Sequence, residues 1–564
     1  MRPYLLLPAM NNYEIADAFS LLAKLMDIHG DNSFKSKSYS NAAFQIEKLP
    51  GQLADMSAEA IAAARGIGSA IQQKIAELLQ TGQLSLLQQY IDQTPEGILQ
   101  MMQIKGLGAK KIHTVWKEMG IESIGELQYA CYENRLVRYK GFGEKTQQNV
   151  LEAIQFFLNH QGQFLYQQAE EWAQQCLQYL QAALPAGSAL ALTGAMRRQA
   201  LTIDCIDLLT TATAAQVQQA LAQQPALQLA QVQEHQLQYQ IENGPKLLVH
   251  LTDDAHWGSQ LFDTTGGELA AQLGTLPIPP SAHEESLFAQ WQLPFIAAPL
   301  RDLPDIAAIA RQRPLPALIQ PADIRGIIHS HSTWSDGTHS IAAMAQAAKA
   351  AGLEYLVISD HSKAAAYANG LTEDRIKQQH AEIDLLNQQL APFRIFKSIE
   401  CDILGDGSLD YSDEVLASFD LVIASVHSNL KMTEEKAMQR LLAAIAHPAT
   451  TILGHLTGRL LLSRKGYPID HAQIIDACAT YGVAIELNAH PRRLDIDWSW
   501  IPMAVARGVM ISINPDAHAI EGFDDTRYGV LAAQKGMLTA NQNLSSLSLA
   551  AFEDYLSKRS SGRP

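Results

Sequence analysis

The stretch Ile324-Arg325-Gly326-Ile327-Ile328-His329-Ser330-His331-Ser332-Thr333-Trp334-Ser335-Asp336-Gly337 sets a pattern that recurs through the second half of the chain. An apolar run ends in two histidines spaced by two. An extended backbone points residues two apart to the same side, so both imidazoles can face one ion. Further runs end the same way. Residues 355–358 lead to His361, 393–396 to Glu400, 421–424 to His427, 451–453 to His455, and 509–513 to Asp516 and His518. With the run 483–487, seven strands are expected. Helical periodicity fills the gaps at 341–351, 373–390, 434–446 and 472–481. Strands alternating with helices give a parallel sheet, and strands buried on both faces read as continuous Val/Ile/Leu runs. A barrel one unit short of (β/α)₈ is therefore expected, with its chemistry at the carboxyl ends of the strands.

The residues His329, His331, Asp336, His361, Glu400, His427, His455, Asp516 and His518 resemble the nine-ligand signature of the PHP (polymerase and histidinol phosphatase) domain. The resemblance extends to Ala368-Asn369-Gly370-Leu371, Thr457-Gly458-Arg459-Leu460-Leu461 and Asn488-Ala489-His490-Pro491. It implies one metal on His329, His331, Glu400 and Asp516, and a second on His427 and His455 with Glu400 bridging. A third is implied on Asp336, His361 and His518. Mixed imidazole and carboxylate donors suit zinc, manganese or iron better than magnesium or calcium. Such a cluster activates water and clamps a phosphoester. Glu400, Asp516 and Arg459 are the expected catalytic groups. Arg464 and Lys465 follow closely as further phosphate contacts, arginine by its bidentate fork.

Composition frames the rest. The chain has 564 residues, 47% hydrophobic and 18% charged, which is ordinary for three or four globular domains. No apolar run spans a bilayer, and Leu5-Leu6-Leu7 is too short for a signal peptide. The five cysteines Cys131, Cys176, Cys205, Cys401 and Cys478 are scattered and odd in number, as in reduced cytosolic proteins. A cytoplasmic, nucleoid-associated monomer without membrane contact is expected. The net charge of −16 is uneven, since residues 1–160 carry 15 basic and 16 acidic side chains. The acidity thus lies downstream of that region, where metals would offset part of it.

That near-neutral region carries three similar motifs. Arg65-Gly66-Ile67-Gly68-Ser69-Ala70-Ile71, Lys105-Gly106-Leu107-Gly108-Ala109-Lys110-Lys111-Ile112 and Lys140-Gly141-Phe142-Gly143-Glu144-Lys145 each join two helical patterns. Glycines allow the tight turn, and the helix that follows opens with amides free to bind phosphate. They resemble helix-hairpin-helix motifs, which hold the DNA backbone without reading sequence. The expected contacts are Gly66, Gly68, Gly106, Gly108, Lys110, Gly141, Gly143 and Lys145, and gapped, nicked or 3′-ended duplex DNA is the expected partner. Upstream, Asp31-Asn32-Ser33-Phe34-Lys35-Ser36-Lys37-Ser38-Tyr39 resembles the small amino-terminal domain of family X DNA polymerases. Lys74 matches the lysine that forms a Schiff base in eukaryotic relatives, with Ala70 replacing a second basic residue often found one turn earlier.

The middle of the chain resembles the palm of the same family with its acidic site altered. Gly194-Ala195-Met196-Arg197-Arg198-Gln199 corresponds to a triphosphate-binding element in which Ala195 replaces serine and Gln199 replaces glycine. Asp207 occupies the place of the second catalytic aspartate, Cys205 that of the first and His250 that of the third. Magnesium for nucleotidyl transfer needs several hard oxygen ligands, and one carboxylate does not supply them. A degenerate palm is expected, with magnesium a cofactor only if that domain is active.

The chain is thus expected to be multidomain. Residues 1–160 would form an all-α helix-hairpin-helix region, 161–300 an α+β nucleotidyltransferase-like palm, 301–322 a linker and 323–564 a distorted (β/α)₇ PHP barrel. The resemblance implies a metal-dependent 3′-5′ exonuclease acting in DNA repair. The alternatives are an active gap-filling polymerase, a small-molecule phosphatase of the histidinol phosphate kind, and a non-catalytic DNA-end scaffold.

Overall fold

The computed structural model describes residues 10–49, 51–57, 60–61, 66–274 and 277–562. Leu5-Leu6-Leu7 and Arg65 of the sequence reading lie outside them. The chain forms two compact units, Met1–Gly162 and Gln163–Pro564.

The first unit is helical. Its opening helix Asn12–His29 buries Ile15, Phe19, Leu22 and Met26, spaced as one helical face. A capping box of Asn11 and Glu14 starts it, and Gly30 in the left-handed region ends it. The helix Ser33–Glu47 packs beside it through Tyr39, Ala43 and Ile46. A second core gathers Ile98, Leu107, Ile112, Leu127, Phe142 and Ile154. Each hairpin is anchored by one buried apolar residue between two exposed glycines, namely Ile67, Leu107 and Phe142.

In the second unit, β1 (Phe164–Leu165) pairs with β3 (Thr202–Ile203). A five-stranded mixed sheet follows from β2 (Leu190–Thr193), β4 (Cys205–Thr210), β5 (Leu227–Gln233), β6 (Gln236–Ile241) and β7 (Lys246–Leu251). Its order is β2-β4-β7-β6-β5, with only β4 and β7 parallel.

The barrel strands are β8 (Gly326–Ile327), β9 (Tyr355–Ile358), β10 (Arg394–Asp402), β11 (Leu421–Ser425), β12 (Thr450–Leu453), β13 (Ala484–Asn488) and β14 (Ile511–Asn514). All neighbours are parallel and in sequence order, as the seven apolar runs predict. The sheet nearly closes just past the carboxyl ends of β8 and β14. There the His331 amide donates to the Ala517 carbonyl at 2.8 Å and the Ala517 amide to that of His329 at 3.3 Å. Closure therefore falls at the level of the metal-ligating candidates. Helices Ile341–Ala350, Glu373–Leu390, Glu434–Ala446 and His471–Tyr481 lie within a residue of their expected bounds.

Residues 301–322, expected as a linker, are built into the unit. Arg301 is fully buried, and the helix Ile306–Gln312 joins a core with Phe262, Leu287 and Phe288. No helix among the described residues is long and apolar enough to cross a membrane.

Candidate metal centre

Glu400 stands near the end of β10, 1% exposed, at the hub of the barrel mouth. Its Oε1 lies 3.3 Å from His329 Nε2, 3.1 Å from His427 Nε2 and 3.0 Å from His455 Nε2. Its Oε2 lies 3.6 Å from His331 Nε2 and 3.0 Å from His361 Nδ1. Asp516 Oδ1 approaches His331 Nε2 at 3.1 Å and His329 Nε2 at 3.4 Å. Asp336 Oδ2 meets His518 Nε2 at 3.5 Å and His361 Nε2 at 3.7 Å. All nine candidates read from sequence thus converge.

The donor atoms group as cations require. His329, His331, Glu400 and Asp516 form one set within 4.8 Å, His331, Asp336, His361 and His518 a second, and His361, Glu400 and His427 a third. His455 is tied in through Glu400. His329 and Asp516 have φ of 67° and 55°. Non-glycine residues seldom adopt this left-handed region, and strain of this kind clusters at functional sites.

A ring of outer groups orients the imidazoles, and sequence reading missed most of it. Glu486, buried within β13, lies 2.6 Å from His329 Nδ1 and accepts the His455 amide at 2.9 Å. Asp402 lies 3.1 Å from His427 Nδ1, and the Asp516 carbonyl 2.9 Å from His518 Nδ1. Each contact fixes a proton on Nδ1 and turns Nε2 inward, as at metal-bound histidines. Buried atoms without hydrogen-bond partners include His329 Nε2, His331 Nδ1, His361 Nδ1, His455 Nδ1 and Glu400 Oε2. Buried polar atoms are seldom left so, and inward-facing lone pairs fit divalent cations.

The electrostatics agree. Burial, with His518 and His361 beside it, pushes His331 down to about 3, leaving a neutral donor ring. Burial opposes ionisation of Glu400, but His427, His329 and His361 overcome it and hold the carboxyl well below its usual range. Burial likewise disfavours charge on His427, yet Glu400 and Asp402 drive it up to about 10. The centre is a dense negative field that calls for cations. Glu486→Gln is expected to lower metal affinity about 10- to 100-fold, because His329 loses its anionic orienting partner. Competition against a chromogenic chelator measures this, and an unchanged affinity would refute the role.

In the helical unit the three hairpins share one backbone form. Gly66, Gly106 and Gly141 have φ of 84°, 92° and 93°. Gly68, Gly108 and Gly143 are extended N-caps of helices that no side chain caps. Lys110 and Lys145 are exposed beside them. Lys74 is half-buried on the helix Ser69–Thr81.

Comparison with known proteins agrees with this division. Residues 10–84 match a helix-hairpin-helix domain family, 98–155 a SAM-like helix-hairpin-helix tandem and 328–490 the PHP domain family. The DNA polymerase/3'-5' exonuclease PolX of Bacillus subtilis is 33% identical over 573 residues, covering 97% of this chain and 100% of that protein. This chain belongs to the PolX family. Other relatives match over about a third of this chain. A probable phosphatase of Thermoanaerobacter is 26% identical over 36% of this chain and 80% of its own length. The probable phosphatase YcdX of Escherichia coli is 28% identical over 34% and 74%.

Within this PolX barrel, Arg459 has a different duty from the catalytic one expected. Its Nε donates to the Arg493 carbonyl at 3.0 Å, its Nη1 to Asp497 at 2.7 Å and its Nη2 to the Leu494 carbonyl. Arg459 thus holds the segment that carries Arg493. Arg493, which sequence reading passed over, reaches the cluster itself, with Nε 3.7 Å from Asp516 Oδ2. Arg464 is turned to the Gly458 carbonyl at 2.9 Å.

The five-stranded mixed sheet brings Cys205, Asp207 and His250 together. Cys205 and Asp207 share one face of β4, and β7 pairs so that His250 lies opposite Leu209 on that face. His250 Nε2 is 2.9 Å from Asp207 Oδ1. The two arginines expected to grip a triphosphate are engaged within the chain. Arg197 forms a fork with Glu284 at 2.9 and 2.7 Å, and Arg198 pairs with Asp302 at 2.8 Å. Glu284 also binds the fully buried Arg301 at 2.7 Å, and Asp302 binds Lys535 of the barrel helix Thr526–Lys535 at 2.6 Å. Glu284→Gln leaves Arg301 short of its counter-charge, and a loss of about 3–5 kcal/mol is expected. A lower urea midpoint with unchanged slope would register it.

Proposed function

We propose that this chain removes nucleotides from DNA 3′ ends by metal-dependent phosphodiester hydrolysis at the barrel mouth. The observation that carries this reading is the convergence of nine imidazole and carboxylate groups at the barrel mouth, five of them histidines on Glu400, with buried donor atoms left unpartnered. His329, His331, Glu400 and Asp516 would hold one cation, His427, His455 and Glu400 another, and Asp336, His361 and His518 a third. Manganese, zinc or iron suits these donors and, when bound, supplies an acidified water and a clamp on the phosphoester oxygens. The protein's own groups do the rest. Glu400 ties the subsites together, Glu486 and Asp402 aim the rings, and Arg493 is placed to receive a non-bridging phosphate oxygen. Arg459 acts by fixing Arg493.

DNA is the substrate because the same chain carries three helix-hairpin-helix turns, with Gly68, Gly108, Gly143, Lys110 and Lys145 on the backbone phosphates. The probable phosphatases of Thermoanaerobacter and Escherichia coli match 36% and 34% of this chain, whereas the Bacillus subtilis protein matches 97% of it. In this reading residues 1–160 grip DNA, 161–300 form a palm without nucleotidyl transfer, and 323–564 cut. The palm offers one carboxylate among its three catalytic places, and His250 engages it. Lys74 is the position for any lyase step, and the chain works as a monomer on chromosomal DNA in the cytoplasm.

A 5′-labelled primer-template, incubated with the full chain and manganese, tests both halves. Shortening with or without deoxynucleotides is the expected result. Extension would overturn the inactive palm, and release of phosphate from histidinol phosphate with DNA untouched would overturn the exonuclease.

A further inference from the structure

Residues 361–371 form a loop between β9 and the helix Glu373–Leu390, and the loop is tethered along its length. Ser362 and Leu371 form a parallel bridge, and the Leu371 amide donates to the His361 carbonyl at 2.9 Å. The Ala364 amide donates to Asp410 Oδ2 at 2.6 Å. Asn369 Nδ2 donates to the Trp334 carbonyl at 3.2 Å, tying the loop to the segment that carries Asp336. A side chain at Gly370 would place its Cβ 1.9 Å from the Ser362 carbonyl oxygen, so the loop lies flat against its own stem.

On the crest of this fixed loop sits Tyr367, in the short turn Ala366–Ala368 between the buried Ala365 and Ala368. It is 75% exposed, the most exposed large apolar side chain among the described residues of its unit. Its ring centroid lies 6.3 Å from that of the metal-ligand candidate His361. Partial burial, then the charges of Asp402, Glu400 and Asp336, push its hydroxyl up to about 12 against the opposing Arg493. The hydroxyl therefore lies within the field of the cluster while the ring meets solvent. A rigid aromatic face beside a phosphodiester-cutting centre is suited to a flat, hydrophobic neighbour of the scissile phosphate. In DNA that neighbour is a base.

We propose that Tyr367 is the stacking face for the base of the 3′-terminal nucleotide being removed. The assignment rests on the exonuclease reading. Stacking accepts any base, because each has a π-face, so the site selects for the presence of a base and not for its identity. It follows that a 3′ end that has lost its base is a poorer substrate than an intact one.

The test compares two 5′-labelled oligonucleotides on the manganese-loaded full chain, one ending in an ordinary nucleotide and one in a tetrahydrofuran abasic residue. Wild-type protein is expected to favour the intact end in kcat/KM about tenfold. Tyr367→Ala is expected to lose that preference, through a KM raised about tenfold on the intact end with the abasic end unaffected. Tyr367→Phe, which keeps the ring, should retain it. Equal losses on both ends, or none on either, overturn the stacking role while leaving the exonuclease intact. Wild-type protein that shortens neither oligonucleotide overturns the exonuclease reading, and this assignment with it.

Discussion

Glu400→Gln is expected to cut DNA shortening by about three orders of magnitude and to leave the purified protein with less bound metal. One oxygen of Glu400 serves His329, His427 and His455, and the other serves His331 and His361. A carboxylate placed so would be the shared ligand of neighbouring cations, and an amide can neither carry its charge nor offer two equivalent oxygens. Losing the bridge removes cation-based stabilisation worth several kcal/mol at the transition state, and each 1.4 kcal/mol is about tenfold in rate. The residue is buried and the substitution nearly isosteric, so the fold should persist, as circular dichroism would report. Asp207→Ala in the palm is expected to leave shortening unchanged. Elemental analysis with full metal occupancy in Glu400→Gln, together with a rate within tenfold of wild type, would sink the hub assignment. Equal losses in both variants would make the palm part of catalysis.

The candidate metal ligands were legible because a parallel barrel places its chemistry where apolar runs stop. Eight of the nine lie within four residues of a strand's carboxyl end, where the change from Val and Ile to His, Asp or Glu marks them, and Asp336 stands farther along the segment after β8. Glu486 left no such mark. It sits inside the run 483–487, where a single acid reads as an interruption in a buried strand, and only the fold brings His329 to it across 157 residues. Arg459 was misread for a related reason. Its closeness to His455 in sequence suggested substrate contact, but the guanidinium extends to Asp497 and two carbonyls of the neighbouring loop. In the mixed sheet, Cys205, Asp207 and His250 lie on one face. The partners of Arg197 and Arg198, Glu284 and Asp302, lie 87 and 104 residues away and belong to segments without a motif. The expected linker failed likewise, since Ile306, Ala307 and Ala310 supply an apolar face that packs the segment into the unit.

Changing Gly68, Gly108 and Gly143 together to aspartate is expected to weaken DNA binding about 100-fold without harming the fold. These glycines differ in kind from Gly66, Gly106 and Gly141, whose positive φ values demand glycine. The three N-cap glycines have φ of −77°, −76° and −92° with ψ of 168°, 164° and 171°, which any residue adopts. A Cβ at each would meet nothing within 4 Å. Nothing inside the described unit therefore requires glycine there, and a reason outside the chain remains, namely the close approach of a phosphate to the open amides of the helix. Aspartate is among the best N-caps and should raise helix stability by a few tenths of a kcal/mol or more over glycine. The same carboxylate occupies the amides and repels phosphate. Melting temperature should hold or rise while affinity for duplex DNA falls. The dependence of log K on log salt should flatten by about 0.9 for each DNA phosphate that the hairpins no longer neutralise. Hydrolysis of thymidine 5′-p-nitrophenyl phosphate, which is too small to span the hairpins, should stay at the wild-type rate. A variant that melts normally and still binds DNA with the wild-type salt slope would remove the hairpins from the interface.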